Sequence, residues 1–207
     1  MSKIKILIVE DEPVIAENIS LYLDNNDFEV SGIAYDSEDA MQQLKENTPD
    51  AVLLDINLES DTDGIDIARY IQEHYQLPFI FLTSYSDRST LERAKQVKPS
   101  GYIVKPFNER TLLASLEIAI SNHAEEANHA LPKLVMEKVN RQLRSPLSER
   151  EFELSQMIYE GKTNTQIAET LFITVNTVKT HLKSIYLKLD AGTRIEVIRK
   201  LQQAMLR

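Results

Sequence analysis

Residues 51–55 read Ala-Val-Leu-Leu-Asp, a short apolar run that stops at a carboxylate. Residues 79–83 read Phe-Ile-Phe-Leu-Thr and repeat the pattern, with a hydroxyl in place of the carboxylate. Nearly continuous apolar runs of this length are typical of strands that are buried on both faces of a parallel sheet. The first half of the chain contains three further short apolar runs, at 4–9, 28–34 and 102–104. The sequence therefore predicts five strands in this half.

Helical patterns alternate with these strands. They lie at 13–25, 36–47, 63–74, 88–97 and 109–121. The second pattern begins with Asp36, an N-cap type of residue, and Glu38 and Asp39 give it an acidic first turn. Five strand–helix units in this order predict an α/β domain with a doubly wound, five-stranded parallel sheet and right-handed crossovers.

Polar side chains follow four of the predicted strands, at the point where each strand ends. They are Glu10 and Asp11 after the first strand, Asp55 after the third, Thr83 after the fourth and Lys105 after the fifth. The carboxyl ends of parallel strands meet at one edge of an open sheet, and this edge is where ligands bind. We therefore expect these side chains to lie close together.

This set of side chains suits phosphoryl chemistry. Two or three neighbouring carboxylates ionise together only beside a cation, and Mg²⁺ fits a site with few carboxylates and several water molecules. The Asp55 carboxylate is a candidate acceptor, because an aspartate can take a phosphoryl group as an aspartyl phosphate. The Lys105 ammonium and the Thr83 hydroxyl could each meet one phosphoryl oxygen. Each residue alone has a commoner role as a cap or turn residue, but the ordered set is specific.

The second half of the chain has a helical pattern from Ser145 onward. Four helices are predicted, at 148–160, 165–171, 175–189 and 194–205. Ser148 and Glu151 have the spacing of a capping box, Gly161 stands where a glycine commonly follows a helix, and Gly192 is expected to end the third helix. Two short helices joined by a tight turn, with the second longer and basic, indicate a helix-turn-helix.

The intervening residues, 122–144, are polar and are interpreted as a linker that is partly helical and interrupted at Pro132. The predicted organisation is thus an α/β domain at 1–121, a linker at 122–144 and a small all-α, four-helix domain at 145–207.

The helix at 175–189 has the pattern of a recognition helix. Its apolar residues recur at spacings of four, three and four, which predicts a stripe that faces the core; they are Val178, Leu182, Ile185 and Leu189. Lys179, Thr180 and Lys183 lie on other faces, where they could meet phosphates or base edges in a major groove. A solvated lysine face would be the better explanation if this helix stood alone.

Charge is distributed unevenly along the chain. Residues 1–121 hold 10 basic and 22 acidic residues, a net of −12, whereas residues 122–207 hold 13 and 10, a net of +3. The last part, residues 179–207, holds seven basic and two acidic residues, a net of +5. This asymmetry suggests an acidic module joined to an anion binder such as a nucleic-acid-binding domain, although charge also varies along any chain.

Composition excludes some classes of protein. The chain has no cysteine, so disulfides and thiolate metal sites are excluded. No apolar run approaches the roughly 18 residues that a membrane span requires, and the first residues lack the pattern of a signal peptide. We expect a cytoplasmic protein with no membrane partner.

Residues 3–121 resemble the receiver domain of two-component response regulators, which has a flavodoxin-like fold. The matching motifs are Glu10-Asp11, Asp55 after Ala-Val-Leu-Leu, Asp63-Gly64, Thr83-Ser84, Gly101-Tyr102 and Lys105-Pro106-Phe107. The resemblance implies that Asp55 accepts a phosphoryl group from a histidine kinase and that Thr83 and Lys105 bind that group. It also implies Mg²⁺ ligands and a switch, with a cis bond between Lys105 and Pro106. The implied ligands are Glu10, Asp11, Asp55 and the backbone carbonyl of Asn57, and the implied switch is Tyr102, which swings inward as Thr83 moves.

Residues 145–205 resemble the DNA-binding domain of the LuxR/NarL/FixJ class. The matching motifs are Leu147-Ser148-x-Arg150-Glu151, Gly161-Lys162-Thr163-Asn164-x-x-Ile167-Ala168, Ile173-Thr174-x-x-Thr177-Val178-Lys179-x-His181 and Ile185-x-x-Lys188-Leu189. The resemblance implies that Lys179, Thr180 and Lys183 contact the groove of double-stranded DNA and that Thr174 and Asn176 touch its phosphates. His181 is open between packing at the core edge and a phosphate contact.

The last helix of this class commonly forms a homodimer interface. Ile195, Ile198 and Leu201 are candidates for that interface, with the core of the domain itself as the alternative role.

The sequence departs from the receiver pattern after Asp55. The family usually has a proline four residues after the phosphoacceptor, where this chain has Glu59, and the interval to Gly64 is one residue longer. An altered loop at 58–62 is therefore expected. Tyr85 is bulky, and we hypothesise that it shields the phosphoryl group from water; a role as an exposed residue on a helix surface is the alternative.

The leading interpretation is a transcription factor in which phosphorylation of Asp55 controls dimerisation and DNA binding, with no enzymatic activity beyond its own phosphorylation and dephosphorylation. An aspartate-nucleophile phosphotransferase or phosphatase would need a general acid, and the residue two after Asp55 is Asn57, not a second aspartate. A phosphorylation-independent binding protein is the third alternative. The sequence leaves open whether phosphorylation relieves inhibition or drives dimerisation.

Overall fold

The computed structural model of the chain describes residues 3–25, 27–58, 62–84, 88–129 and 133–206. It divides into two compact units, one that spans Lys5–Ile120 and one that contains Ser121–Arg207. Among the described residues, no helix is long and apolar enough to cross a membrane.

The first unit alternates strands and helices. Its strands are β1 (Ile4–Val9), β2 (Phe28–Ala34), β3 (Ala51–Asp55), β4 (Phe79–Thr83) and β5 (Gly101–Val104). Its helices are α1 (Pro13–Leu23), α2 (Ser37–Asn47), α3 (Gly64–His74), α4 (Arg88–Gln96) and the first part of α5 (Glu109–His129), which continues past Ile120. The strands form one sheet in the order β2-β1-β3-β4-β5, with β3 parallel to both β1 and β4 and β5 parallel to β4. The predicted doubly wound, five-stranded α/β fold is confirmed.

Burial along each strand follows its place in the sheet. All five residues of β3 are buried, and β1 and β4 are buried along nearly their whole length. The edge strands β2 and β5 are only partly buried. The continuous apolar runs therefore belong to central strands, whose two faces both lie in the core.

Local capping sets where two of the helices begin. The Asp36 side chain accepts from the backbone N–H of Asp39 at 2.8 Å, which confirms the predicted N-cap of α2. Asp63 caps α3 in the same way, by accepting from the backbone N–H groups of Ile65 and Asp66. Gly64 follows, and a Cβ at this position would lie 1.9 Å from the backbone oxygen of Asp55. Only glycine allows α3 to approach the end of β3 this closely.

The second unit is all helical. Its helices are α6 (Met136–Arg141), α7 (Glu149–Tyr159), α8 (Asn164–Leu171), α9 (Val175–Leu189) and α10 (Arg194–Leu206). The predicted capping box of Ser148 and Glu151 is present, and Gly161 has the positive φ (78°) expected after α7. Helices α8 and α9 form the predicted helix-turn-helix.

The packed core of the second unit begins before Ser145. Leu134 and Val139 belong to the same core as α7, α9 and α10, and α6 packs against α10. Asn140 joins α6 to the segment that precedes α7, because its side chain accepts a hydrogen bond from Leu147 N at 2.8 Å and donates one to Leu147 O at 3.1 Å. The segment is partly helical, as predicted, but a helix of six residues is too short to show a clear apolar period, so the sequence did not reveal that it packs against the core.

One helix end differs from the prediction, and one predicted cap is wrong. Helix α5 continues to His129, beyond the expected end at residue 121. The predicted end of α9 at residue 189 is confirmed, but its C-cap residue is Asp190 in the left-handed conformation (φ 51°), so Gly192 is not the residue that ends the helix. The expected interruption at Pro132 lies outside the described residues.

Candidate functional site

The strand ends of the sheet bring the predicted acidic and basic residues together. Glu10 directly follows β1, Asp55 ends the neighbouring strand β3, and Lys105 directly follows β5. Glu10 and Asp55 are 0% and 5% exposed, although both are acidic. Buried carboxylates need partners, since burial in a less polar environment penalises the charged form.

Lys105 is the partner that these two carboxylates share. Its Nζ lies 2.6 Å from Glu10 Oε2 and 2.6 Å from Asp55 Oδ2, and its side chain is only 10% exposed. Burial of Lys105 lowers its pKa, but the bonds to Asp55 and Glu10 outweigh this effect and raise the pKa above its ordinary value. Its backbone N–H donates to Thr83 O at 2.8 Å, which joins the ends of β4 and β5.

Negative charge in the cluster exceeds what Lys105 supplies. Carboxylate oxygens of Glu10, Asp11 and Asp55 lie within 4.8 Å of one another. Burial raises the pKa of Glu10 to about 7; the hydrogen bond from Lys105 opposes this rise and the charge of Asp55 adds to it. A single ammonium cannot balance three carboxylates, so the cluster has the chemistry of a site for a hard divalent cation.

An open cleft gives access to Asp55. Its volume is about 430 Å³, and it is lined by Asp11, Glu12, Pro13, Val14, Asp55, Asn57, Ser84 and Lys105. Asp55 Oδ1 accepts from the backbone N–H of Asn57 at 3.1 Å, and Oδ2 accepts from Lys105. These two bonds fix the carboxylate plane at the edge of the cleft.

The remaining receiver predictions have different outcomes. The predicted cis bond between Lys105 and Pro106 is confirmed. Thr83 ends β4 and is half-buried, and Tyr102 is 36% exposed, with its ring 5.9 Å from that of Phe81. The inward swing of Tyr102 and the metal contact of the Asn57 carbonyl stay predictions. Tyr85 and Glu59 lie outside the described residues, as do the middle residues of the loop at 58–62.

Helix α9 has one buried and one exposed side. Its predicted core stripe is confirmed, since the buried residues are Val178, Leu182, Ile185 and Leu189. The exposed residues, all of them described, are Asn176, Thr177, Thr180, Lys183 and Leu187; Lys179 and His181 are half-buried.

The helix begins at a threonine cap. The Thr174 hydroxyl accepts from the backbone N–H of Thr177 at 3.1 Å. One turn further on, Thr180 donates its hydroxyl to the backbone oxygen of Asn176 at 3.0 Å. The hydroxyls of Thr174 and Thr180 therefore hold the first turns of α9 in shape while both residues remain at its surface.

Sequence reasoning missed the contact that holds α9 against α7. The Glu151 carboxylate accepts from Ser148 N at 2.7 Å, Ser184 Oγ at 2.5 Å and Lys188 Nζ at 2.6 Å. Burial opposes ionisation of Glu151, but the bonds from Lys188, Ser184 and Ser148 outweigh it and lower the pKa to about 2. The spacing of four between Ser184 and Lys188 was the available signal, since it places both on one face of α9.

Two family models match the chain. The model described as response regulator receiver domain matches residues 6–117. The model described as bacterial regulatory proteins, luxR family, matches residues 145–201. The chain is a LuxR-type response regulator.

Curated relatives match this response regulator over nearly its whole length. The transcriptional regulatory protein LiaR of Bacillus subtilis is 30% identical over 93% of this chain and 94% of LiaR. The response regulator protein VraR of Staphylococcus epidermidis is 31% identical over 94% of each chain. The response regulator thus combines a receiver domain with a LuxR-type DNA-binding domain, and its relatives are regulators of transcription.

Solved structures agree with the fold of the response regulator. The signal receiver domain of a modulated diguanylate cyclase from Desulfovibrio desulfuricans G20 is 36% identical and has a TM-score of 0.56; the match covers 59% of this chain and 97% of that domain. Full-length FixJ from B. japonicum matches over all of both chains with a TM-score of 0.56. FixJ is 22% identical, so this likeness shows the fold alone.

Proposed function

We propose that this response regulator accepts a phosphoryl group on Asp55 from a histidine kinase and that this step controls dimerisation and DNA binding by the second unit. The observation that carries the proposal is the Asp55 carboxylate, which lies at the edge of an open cleft and accepts a hydrogen bond from the buried Lys105 ammonium. An ammonium at this distance stabilises both the attacking carboxylate and the negative oxygens of the incoming group.

The transfer exchanges one bond for another. A carboxylate oxygen of Asp55 forms a bond to phosphorus as the bond between phosphorus and the histidine nitrogen of the donor breaks. Lys105 remains protonated because its pKa is raised, so it can stay paired with the product. Thr83, at the end of the neighbouring strand β4, is the proposed hydroxyl ligand of the phosphoryl group. The chain catalyses only its own phosphorylation and dephosphorylation.

The acidic cluster supports Mg²⁺ as the cofactor. Glu10, Asp11 and Asp55 would hold the ion, with the Asn57 carbonyl as a further proposed ligand. When bound, Mg²⁺ supplies positive charge that neutralises the cluster and the phosphoryl oxygens. The chain contributes three hard oxygen ligands and a cleft that is open to water, which is the ligand set that Mg²⁺ prefers.

The second unit is proposed to bind double-stranded DNA through α9. Lys179, Thr180 and Lys183 would reach into the major groove, while Thr174 and Asn176 at the start of the helix would meet phosphates. Two copies would bind two half-sites as a homodimer.

Helix α10 is the proposed contact between the two copies. Of its predicted interface residues, Leu201 is fully buried in the core, whereas Ile195 and Ile198 are half-buried and remain candidates. We keep 1–121 as the receiver domain and 145–207 as the DNA-binding domain, with α6 in the intervening segment packed on the latter. A regulator that acts on a bacterial chromosome is expected in the cytoplasm.

The test compares the full chain with Asp55→Asn. Both proteins are incubated with acetyl phosphate and Mg²⁺, and intact-mass spectrometry follows addition of a phosphoryl group while sizing and DNA-binding assays follow its effect. The wild type is expected to gain one phosphoryl group and to change its oligomeric state, and Asp55→Asn to do neither. Removal of Mg²⁺ with a chelator is expected to stop the addition.

Asp36→Asn is the matched control. Asparagine is as good an N-cap as aspartate, so this variant should fold and take the phosphoryl group normally. Phosphoryl addition that persists in Asp55→Asn would contradict the assignment of the acceptor. DNA binding that ignores phosphorylation would contradict the proposed control.

A further inference from the structure

Leu187 is an exposed apolar residue on the proposed recognition helix. It is 84% exposed, whereas the other exposed residues of α9 are polar: Asn176, Thr177, Thr180 and Lys183. An isolated exposed leucine is common on protein surfaces. What distinguishes this one is its place on the helix.

Leu187 continues the stripe that faces away from the core. Asn176, Thr180, Lys183 and Leu187 recur at spacings of four, three and four, the same spacings as the buried stripe that begins at Val178. With about 3.6 residues per turn, these four residues share one face of the helix, opposite the buried stripe. At about 1.5 Å per residue, Leu187 lies about 6 Å beyond Lys183 along the axis, and the whole stripe is about 16 Å long.

The chemistry of the major groove offers one kind of target to an apolar side chain on this face. Adenine, guanine and cytosine present hydrogen-bond donors and acceptors there, whereas thymine also presents its C5 methyl group. The segment that contains Leu187 is basic, since residues 179–207 carry a net charge of +5, and a phosphate backbone complements that charge.

We propose that Leu187 reads a thymine in the operator by packing against its C5 methyl group. The proposal rests on the proposed entry of α9 into the major groove, and it extends the base-reading surface one turn beyond Lys183. Leu187 is then a specificity-determining residue, whereas Lys183 supplies affinity through its charge.

The test removes the methyl group from the DNA and the side chain from the protein. The phosphorylated full chain is used to enrich binding sites from a pool of random duplexes. Each thymine of the enriched site is then replaced by uracil, which lacks only the methyl group. Affinity for every duplex is measured with the wild type, Leu187→Ala and Leu21→Ala. Leu21 is the matched control, because it is a similarly exposed leucine (72%) on α1 of the other unit.

Replacement of thymine by uracil is expected to weaken binding only when Leu187 is present. At one thymine per half-site, uracil should weaken binding of the wild type and of Leu21→Ala about fourfold, the amount that corresponds to about 0.8 kcal/mol for one buried methyl group. Leu187→Ala should lose that penalty at the same thymine, since the two changes remove the two halves of one contact. Lys183→Ala should weaken all duplexes by a similar factor.

Two other results would overturn the proposal. If Leu187→Ala keeps the full uracil penalty, or if uracil is neutral at every thymine of the site, Leu187 does not read a methyl group. If, in addition, Lys183→Ala leaves affinity for DNA unchanged, then α9 does not contact DNA. That result would contradict the proposed DNA contacts of the helix as well as the role of Leu187.

Discussion

Replacement of Glu151 by glutamine should destabilise the second unit far more than a surface substitution does. The Glu151 carboxylate joins α7 to α9 through Ser184 and Lys188, and it closes the capping box with Ser148. The side chains of Glu151 and Lys188 are only 8% and 21% exposed, so water screens their attraction little. Glutamine keeps the shape and one acceptor oxygen but loses the charge.

The magnitude follows from the pKa of Glu151. Its ordinary value of 4.5 falls to about 2 in the folded protein, despite burial, because of the bonds from Lys188, Ser184 and Ser148. At about 1.36 kcal/mol per pKa unit, this difference corresponds to about 3 kcal/mol of stability carried by the ionised form. We expect Glu151→Gln to cost about 2–3 kcal/mol at neutral pH, since the amide retains part of the bonding.

The loss of stability in Glu151→Gln should become smaller as pH falls. The pKa of Glu151 is lower in the folded protein than in the unfolded chain. The carboxylate therefore contributes fully to the free energy of unfolding above pH 4.5, and this contribution is lost as pH falls toward about 2. The difference in stability between the wild type and Glu151→Gln should therefore shrink between pH 5 and pH 3.

Native-state hydrogen exchange on the full chain is the assay, because the amides of α7 and α9 report the stability of the second unit separately. Glu153→Gln is the matched control: Glu153 pairs with Arg150 on the same helix at 2.5 Å, but the two side chains are 46% and 35% exposed. Such a pair contributes about 0–1 kcal/mol. If Glu151→Gln costs no more than Glu153→Gln, the reasoning about the buried carboxylate is wrong.

Three further substitutions test local geometry. Gly64→Ala should slow phosphoryl addition to Asp55 about tenfold or more, because the new Cβ would lie 1.9 Å from the Asp55 backbone oxygen, and mass spectrometry measures the rate. Gly101→Ala is its control, since the nearest atoms would lie 3.8 Å away, and an equal effect of both would contradict the argument. Phe172→Asn should raise stability by about 0.5 kcal/mol, because Phe172 has a left-handed backbone (φ 54°) and a 96% exposed ring, whereas asparagine tolerates that conformation; a lower melting temperature would oppose this. Ser148→Ala should cost about 1 kcal/mol through loss of the N-cap of α7, and urea unfolding that shows no change would count against the cap.

The strands, the helices and the location of the cluster could be predicted because each depends on short stretches of chain. An apolar run that ends in Asp55 marks both a buried strand and the sheet edge where it stops. Once five such runs alternate with helices, the sheet topology places their carboxyl ends together without further information. Lys105 could thus be placed near Asp55 although the two residues are 50 positions apart.

Contacts that depend on how helices pack could not be predicted. The pairing of Arg93 on α4 with Asp63 at the start of α3, at 2.7 Å, joins residues 30 positions apart through side chains alone. The bond between Glu151 and Lys188 likewise depends on the angle at which α7 and α9 cross. The spacing of four places Ser184 and Lys188 on one face of α9, but it does not identify Glu151 as their partner.

The ends of helices α8 and α9, at residues 171 and 189, agree with the prediction, but the residues that cap them could not be predicted. Phe172 and Asp190 adopt the left-handed conformation at the two C-caps, where glycine or asparagine is usual. For α9, the sequence pointed to Gly192, two residues beyond Asp190, as the terminating residue.

The shielded ammonium of Lys105 gives the chain a built-in reporter. Acylating reagents react with neutral, accessible amines, and Lys105 is held protonated and 10% exposed by its two carboxylates, whereas Lys183 is exposed on α9. The ratio of acyl label on these two lysines therefore measures whether Lys105 is still paired with Glu10 and Asp55. A cation that binds those carboxylates, or a phosphoryl group that becomes bonded to Asp55, alters the ratio. Peptide mass spectrometry can therefore follow occupancy of the site without a kinase, an operator or a radioactive tracer.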